Sequence, residues 1–516
     1  MAQTATPMKI ASQAGIKRDG TVWEGTNYSD GTWCRFDARA RPKKINGYSA
    51  ITTNLPEVSR GLNAFPSGGL FYVHSGGESF LHQIQVLFNG TAGGETDRTP
   101  AGFTPNANNL WQFTQFYNKA TGATQLCANA GQNLADITNT VETPIYFGPV
   151  DAASPLAAST GGTPMPNVAG GIVALPPYLI GYSINGRIDC SAVNDFTTLG
   201  GSGFFSETKI IKGLPIRNGG GGPAGIFWSL NQLIIGTFDP AIVTGLPFYF
   251  NTVSDDVSLL SSNAVIEFDG IYYWAEIDHF SIYNGIVREL PNNMSIDFFY
   301  DNLNYTWRQK VFAFKVPRWG EIWWCFPKGA STECNWAVIY NTRFNTWYDT
   351  PLPVGFRTAA TSPKVLQYPL MTDAGQDPDA GNMPTLWLHE TGVDKVVNGN
   401  SIPLQSYIQT HEMSAVSGGK NQALHVSVFE PDFVFSGPLD VTLYWRQNSN
   451  SPQQAGETLT LPDLTATPET FDNQVARFKA NARLLSFRIQ TNIAGGNFRM
   501  GEPYAHVTLS DARYTV

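Results

Sequence analysis

Three pairs of neighbouring acidic residues are the part of the sequence that comes closest to a hydrolytic site. The pairs are Asp255 with Asp256, Glu276 with Asp278, and Asp297 with Asp301. Glycoside hydrolysis requires two carboxyl groups that flank the scissile bond. Asp255 and Asp256 are adjacent, and adjacent residues of a strand point to opposite faces. Glu276 and Asp278 bracket a predicted hairpin turn, where acidic side chains are common. The pairs give little support to an enzyme, and we predict that the chain is not one.

Motifs for metal, phosphate or nucleophile chemistry are missing from the sequence. The seven histidines form neither His-x-His nor His-Glu-x-x-His, and no Gly-x-Ser-x-Gly occurs. Gly219–Gly222 lacks the Lys-Ser/Thr of a phosphate-binding loop. The five cysteines are widely spaced, which is typical of free thiols in a reducing cytoplasm. We therefore predict no cofactor and no metal.

Six tryptophans in the second half of the chain have two interpretations. They are Trp307, Trp319, Trp323, Trp324, Trp336 and Trp347. Exposed together, they would form a platform for stacking sugars. Trp323 and Trp324 are neighbours, however, so one faces each side of a strand, and inward tryptophans are ordinary packing. We favour the core interpretation.

Composition indicates many short strands. Charged residues are 15% of the 516 residues, while Gly (50), Pro (33) and aromatics (13%) are abundant, a mixture of turn formers and strand formers. The net charge of −9 argues against general nucleic-acid binding, which needs excess Lys and Arg, but it allows a passive conduit for DNA. No stretch approaches the roughly 20 apolar residues of a membrane helix, so we expect no membrane insertion.

Alternating apolar and polar residues recur between turn dipeptides. In residues 264–290 four short strands are separated by Asp269-Gly270, Asp278-His279 and Asn284-Gly285. Asp-Gly and Asn-Gly suit tight hairpins because both central residues take positive φ. Four such up-and-down strands make one blade of a β-propeller. Looser units of the same kind recur along the chain.

A closed propeller and a string of β-sandwiches both fit this pattern. We favour the propeller because a closed ring removes sheet edges that invite aggregation. The predicted fold class is all-β: a β-propeller of irregular four-stranded blades, with a C-terminal β-rich, sandwich-like unit and an extended N-terminal arm. The predicted domains are a docking arm at 1–48, a propeller with long Gly/Pro-rich loops at 49–400, and a C-terminal unit at 401–516 that closes or packs on the propeller.

The N-terminal arm has a different charge from the rest of the chain. Residues 17–44 hold seven basic and four acidic residues, a net charge of +3. The charge favours either a docking segment for an acidic neighbour or an ordinary surface strand. For the first alternative, the predicted assembly residues are Lys17, Arg18, Trp33, Arg35, Arg41, Lys43 and Lys44. On that hypothesis, removal of residues 1–48 blocks assembly but leaves the monomer folded.

The same arm carries motifs of a known family. They are Gly15-Ile-Lys-Arg-Asp-Gly20, Asn27-Tyr-Ser-Asp-Gly31, Trp33-Cys-Arg-Phe36, Arg41-Pro-Lys-Lys-Ile45 and Gly47-Tyr48. This opening resembles that of the tail hub or nozzle proteins of short-tailed bacteriophages, also called packaged-DNA stabilisation or tail accessory proteins. Residues 280–290, 310–326, 338–348 and 495–513 are similar to later parts of that family. The loops of residues 90–225 depart from the pattern.

The resemblance implies a structural virion protein. Such a subunit forms a ring of copies, usually six, below the portal and adaptor proteins of the virion tail. The ring extends the DNA channel, retains packaged DNA and offers attachment surface for tail fibres or tailspikes. DNA passes without sequence-specific binding, and the chain is made in the host bacterial cytoplasm. The alternatives are a receptor- or glycan-binding propeller at the tail tip and a polysaccharide-acting propeller glycosidase.

Overall fold

Four-stranded antiparallel sheets follow one another along residues 61–289 of the computed structural model, as the alternating pattern predicts. The structure describes residues 5–87, 89–136, 141–160, 163–216, 222–242, 244–360, 368–414, 422–463 and 475–511. At the predicted Asp269-Gly270 turn, the φ angles are 52° and 80°, and Phe268 pairs with Ile271. This is the positive-φ geometry that an Asp-Gly hairpin requires.

Five complete blades are consecutive in sequence, and the first strand of each is the innermost strand of the ring. Blade 1 consists of Gly61–Ser67, Leu70–Gly76, Leu81–Val86 and Ala92–Asp97. Blade 2 consists of Gln112–Asn118, Ala123–Asn129, Tyr146–Pro149 and Ala157–Ala158. Blade 3 consists of Gly171–Leu175, Tyr178–Tyr182, Arg187–Ala192 and Asp195–Phe204. Blade 4 consists of Ile210–Pro215, Ala224–Ser229, Leu233–Phe238 and Phe248–Ser254. Blade 5 consists of Val265–Phe268, Ile271–Ala275, Phe280–Tyr283 and Val287–Glu289.

Blades 6 and 7 share one long strand, Thr346–Ala360. Its first half completes blade 6, after Phe312–Val316, Glu321–Phe326 and Cys334–Asn341. Its second half begins blade 7 and is followed by Leu370–Asp373, Leu386–His389 and Tyr48–Thr52. Beyond Tyr48–Thr52 the same sheet adds Lys395–Val397 and Asn400–Ile402.

The ring is closed by its most distant strands. Tyr48–Thr52 pairs antiparallel with Leu386–His389, so one blade contains both ends of the propeller sequence. Residues from the first strand of all seven blades line one central cavity of about 410 Å³. The predicted propeller is therefore confirmed, and it has seven blades. This pairing within one blade holds the two ends of the propeller sequence together.

Aromatic side chains pack between blades 5 and 6. The ring of Phe280 lies 4.9 Å from both Trp324 and Trp347. Trp323, Trp324 and Trp347 are buried, whereas Trp307 is 39% exposed. The core interpretation of the tryptophans is correct for these three, which cannot serve as a platform for sugars.

The helical segments are short and lie between strands. The α-helix is Ile296–Asn302, and the 3₁₀ helices are Ile184–Gly186, Tyr305–Lys310 and Pro378–Ala380.

The C-terminal unit is β-rich, as predicted. Its strands are Ser406–Gln409, Met413–Ser414, Gln422–Glu430, Phe433–Ser436, Leu439–Arg446, Gln454–Leu461, Ala476–Ala482, Leu484–Thr491, Asn497–Met500 and Tyr504–Asp511. The N-terminal strands are Thr6–Lys9, Gln13–Ile16, Asn27–Tyr28, Asp30–Thr32, Cys34–Phe36 and Pro42–Lys44.

These two sets of strands form common sheets. Thr6–Lys9 pairs with Tyr504–Asp511, and Asp30–Thr32 pairs with Ser406–Gln409. Pro42–Lys44 lies between Cys34–Phe36 and the strand that contains Arg499. The described part of the arm is extended, as predicted. It is not a separate domain, because its strands pair with strands of the C-terminal unit.

Candidate functional site at the junction of arm and propeller

The centre of the junction is a buried ion-pair group that we call the anchor: Arg35, Glu321 and Glu390. Arg35 Nη1 donates to Glu390 Oε2 at 2.6 Å, and Nη2 donates to Glu321 Oε2 at 3.0 Å. The exposed fractions of the three side chains are 0%, 0% and 1%. Arg35 comes from the arm, Glu321 from blade 6, and Glu390 from the end of blade 7. The anchor therefore joins three segments that are distant in sequence.

Neighbouring groups add hydrogen bonds to the carboxylate of Glu321 in the anchor. Tyr348 donates to Glu321 Oε1 at 2.6 Å, and the Trp323 indole donates to Oε2 at 2.9 Å. Burial lowers the pKa of Arg35, but the nearby Glu321 and Glu390 more than offset this and raise it overall. Burial raises the pKa of Glu321, whereas Arg35 and His389 outweigh burial and lower the pKa of Glu390. A cation held among carboxylates in this way is typical of a structural pair.

His389 makes folding sensitive to acid. Burial lowers the pKa of His389 to about 4, whereas an unfolded histidine titrates near about 6.5. Between these two pKa values the unfolded chain binds a proton that the folded chain does not bind. The contribution of neutral His389 to the free energy of unfolding is therefore fully present above about pH 6.5 and is lost as the pH falls towards 4. The variant His389→Phe keeps an aromatic ring against Tyr48, whose ring lies 4.6 Å from that of His389 between centroids. When the pH is lowered from about 8 to about 5, we expect the free energy of unfolding to fall less for this variant than for wild type.

Denaturant titrations at the two pH values measure this difference. Phe314→Leu, which changes packing beside the His389 ring (5.9 Å between centroids) but removes no titratable group, is the control and should show the wild-type pH dependence. Equal acid sensitivity of wild type and His389→Phe would contradict the assignment.

A second ion network ties the arm to both neighbouring units. Arg18 donates to Asp349 of blade 6 at 2.8 Å and to Asp30 at 2.5 Å. Asp30 also accepts from Arg488 of the C-terminal unit at 3.0 Å. On balance these two carboxylates raise the pKa of Arg18, although burial lowers it. The side chain of Arg18 is committed to contacts within the chain.

Most of the other predicted assembly residues also have partners within the chain. Lys17 donates to the backbone oxygen of Glu24 at 2.7 Å, and Arg41 pairs with Glu502. Trp33 is buried, and buried Lys44 donates to the Gly496 carbonyl at 2.8 Å. Burial lowers the pKa of Lys44 to about 8.

The docking interpretation is therefore wrong for Trp33, Arg35 and Lys44. Side chains that are inaccessible in the folded chain cannot contact a neighbouring protein.

Lys43 is a predicted assembly residue that is half-buried and forms no ion pair with another described residue, although the negative charge of Glu390 acts on it. It lies beside Arg499 on the adjacent strand, and its ammonium group is 4.7 Å from the centroid of Trp319. The guanidinium of exposed Arg318 lies 5.1 Å from the same ring. We call Lys43, Arg318 and Arg499 the basic cluster; none has an ion-pair partner among the described residues. Burial, Arg35, Arg318 and Arg499 lower the pKa of Lys43.

Trp319 connects this surface to the anchor, because its indole donates to Glu390 Oε2 at 3.2 Å. Sequence reasoning missed Arg318 and Arg499, and it considered Trp319 only as a core or sugar-stacking residue. They come from a turn of blade 6 and a strand of the C-terminal unit, and no local pattern links these segments to Lys43.

The two carboxylates of the Glu276 and Asp278 pair lie in different surroundings. Buried Glu276 accepts hydrogen bonds from the Ser258 amide at 2.7 Å and the Trp274 indole at 3.0 Å. Asp278 faces solvent beside His279. Within the described residues, no group of three or more His, Cys, Asp or Glu side chains could hold a metal ion. All five cysteines are buried and unpaired.

Comparison with known proteins shows a distant structural likeness. No family model and no curated protein matches the chain. A solved structure, the WD40 β-propeller domain of Doa1, is similar with a TM-score of 0.40 and 13% identity; the match covers 66% of this chain and 97% of that one. In the part of the chain that the structure describes, no helix is long and apolar enough to span a membrane.

Proposed function

We propose that the chain is a non-catalytic structural protein of a short-tailed phage virion, a subunit of the tail hub or nozzle ring below the portal and adaptor. The ring extends the DNA channel and retains packaged DNA, which passes without sequence-specific contacts. The observation that carries the proposal is the basic cluster, a surface of three cations that form no ion pairs among the described residues. A surface of this kind suits docking to an acidic protein neighbour.

The family motifs support the same proposal. Three of the five arm motifs contain Arg18, Arg35 and Lys43, which belong to the ion network, the anchor and the basic cluster. The family resemblance therefore rests on residues at the junction between the arm and the propeller. On the outer strands of blades 3 and 4, Phe204 and Tyr249 are 68% and 62% exposed. These two side chains provide attachment surface for fibres or spikes.

Labelling of particles tests the proposal. An antibody against this chain should bind the tail of purified phage particles in electron micrographs, at the level between the portal and the fibres. Particles assembled without the chain should package DNA and then lose it, so that nuclease-protected DNA per particle falls. An antibody against a fibre serves as the positional control.

Two results would contradict the proposal: absence of the chain from purified particles, or full retention of DNA by particles that lack the chain.

A further inference from the structure

Negative charge is concentrated in one part of the propeller. Residues 255–301 contain nine acidic residues and one arginine, a net charge of −8, whereas the whole chain carries −9. Asp255, Asp256 and Asp278 are exposed, and we call these three the acidic face. Asp255 accepts from Gln232 at 2.9 Å, and Asp278 lies beside His279. None of the three has a lysine or arginine partner in the described ranges.

The acidic face and the basic cluster lie at opposite ends of the blades. In a propeller all first strands run in the same direction, so the turns between first and second strands share one face of the ring. Arg318 lies in such a turn, between Phe312–Val316 and Glu321–Phe326. Asp278 lies between the second and third strands of blade 5, and Asp255 and Asp256 lie in the link from blade 4 to blade 5. Turns and links of these kinds occupy the other face.

The cations of the basic cluster repel one another. Lys43 lies between Arg35 and Arg499 in cross-strand register, and like charges opposite each other in a sheet are destabilising. Trp319 offers its ring face to Lys43 and Arg318, but it carries no negative charge. Carboxylates brought by a partner would relieve the repulsion among these cations.

We propose that the basic cluster binds the acidic face of a second copy of this chain, head to tail. Three cations at one surface meet three exposed carboxylates, and the two surfaces are on opposite faces of the same molecule. A contact between different surfaces of identical subunits is heterologous, and it closes into a ring when the rotation between copies permits. This inference rests on the proposed ring and names the surfaces that hold its subunits together.

Charge exchange on the full-length chain tests the proposal. The basic variant is Arg318→Glu with Arg499→Glu, the acidic variant is Asp255→Lys with Asp256→Lys, and the exchanged variant carries all four changes. Self-association is measured by sedimentation velocity at low and high salt. Lys119→Glu with Lys479→Glu, at exposed positions elsewhere, controls for net charge, and circular dichroism checks that each variant folds.

Wild type should self-associate at low salt and dissociate as salt rises. Each two-residue variant should weaken association by about 100-fold or more, since like-charge contacts cost several kcal/mol. The exchanged variant, and an equimolar mixture of the basic and acidic variants, should associate again. The Lys119/Lys479 control should resemble wild type.

Three results would overturn the proposal: a wild type that stays monomeric at low salt, no rescue in the exchanged variant, or loss of DNA binding in the basic variant with unchanged self-association. Tail labelling by the antibody does not depend on this contact. The ring proposal can therefore survive the failure of these particular surfaces.

Discussion

Arg35→Met should lower the free energy of unfolding by about 3–5 kcal/mol, because it leaves two buried carboxylates without their cation. Glu321 and Glu390 are 0% and 1% exposed and share the guanidinium of Arg35. Methionine fills much of the same space but carries no charge. Denaturant unfolding near neutral pH measures the loss. Arg39→Met, at an exposed position in the same segment, is the matched control and should change stability by less than about 0.5 kcal/mol.

The pH dependence of the Arg35→Met variant separates lost charge from lost packing. Arg35 lowers the pKa of both carboxyl groups, so without it we expect burial to raise the folded-state pKa of each above the unfolded value. The free-energy cost of burying these two charged carboxylates is therefore fully present at pH values above the raised pKa values and disappears as the pH falls through them. Relative to wild type, the variant should recover stability in acid.

Neutral partners provide a second check on the same charge. Adding Glu321→Gln and Glu390→Gln to Arg35→Met should restore most of the loss at neutral pH. A deficit that is the same at all pH values, and is not rescued by the glutamines, would mean that the anchor acts through packing alone.

The sequence predicts blade 5 well because its signals are local. Asp269 and Gly270 both adopt positive φ, and the residues on either side pair across the turn that they form. Each hairpin needs information from only a few neighbouring residues. Blade 7 could not be assigned in this way, since its outer strand, Tyr48–Thr52, pairs with residues more than 300 positions later. Only the closed ring reveals that pairing.

The charge of the arm was misinterpreted for a similar reason. Residues 17–44 carry +3 when counted alone, but the carboxylates that balance Arg18 and Arg35 lie at 349, 321 and 390. Lys43, with no ion pair among the described residues, stays a candidate for docking. Its partners in the basic cluster, Arg318 and Arg499, come from two other segments. A charge count within one window cannot show which cations are already neutralised elsewhere in the fold.

Deletion of residues 1–52 should prevent the chain from forming a stable monomer. The deletion removes the outer strand of blade 7 and the arm strands that pair with the C-terminal unit. It also removes Trp33, Phe36, Ile45 and Tyr48, which are at most 2% exposed in one continuous core. Burial of each such side chain contributes roughly 1.5–3 kcal/mol, and a folded domain is stable by only about 5–15 kcal/mol. The stabilisation lost with these four side chains is therefore similar in size to the whole free energy of unfolding.

Size-exclusion chromatography and thermal unfolding followed by circular dichroism measure this effect. The truncated chain should aggregate or unfold without a cooperative transition. A separate peptide of residues 1–56, added during refolding, should restore a soluble complex, because the missing strand and core residues are then supplied in trans. The same peptide with Trp33→Ala should restore much less, since Trp33 packs against Tyr48 and Trp323 at 5.4 and 6.2 Å between ring centroids. If the truncated chain is monomeric and melts cooperatively at the wild-type temperature, the arm is not part of the folding unit, and the strand pairing that closes blade 7 contributes little to stability.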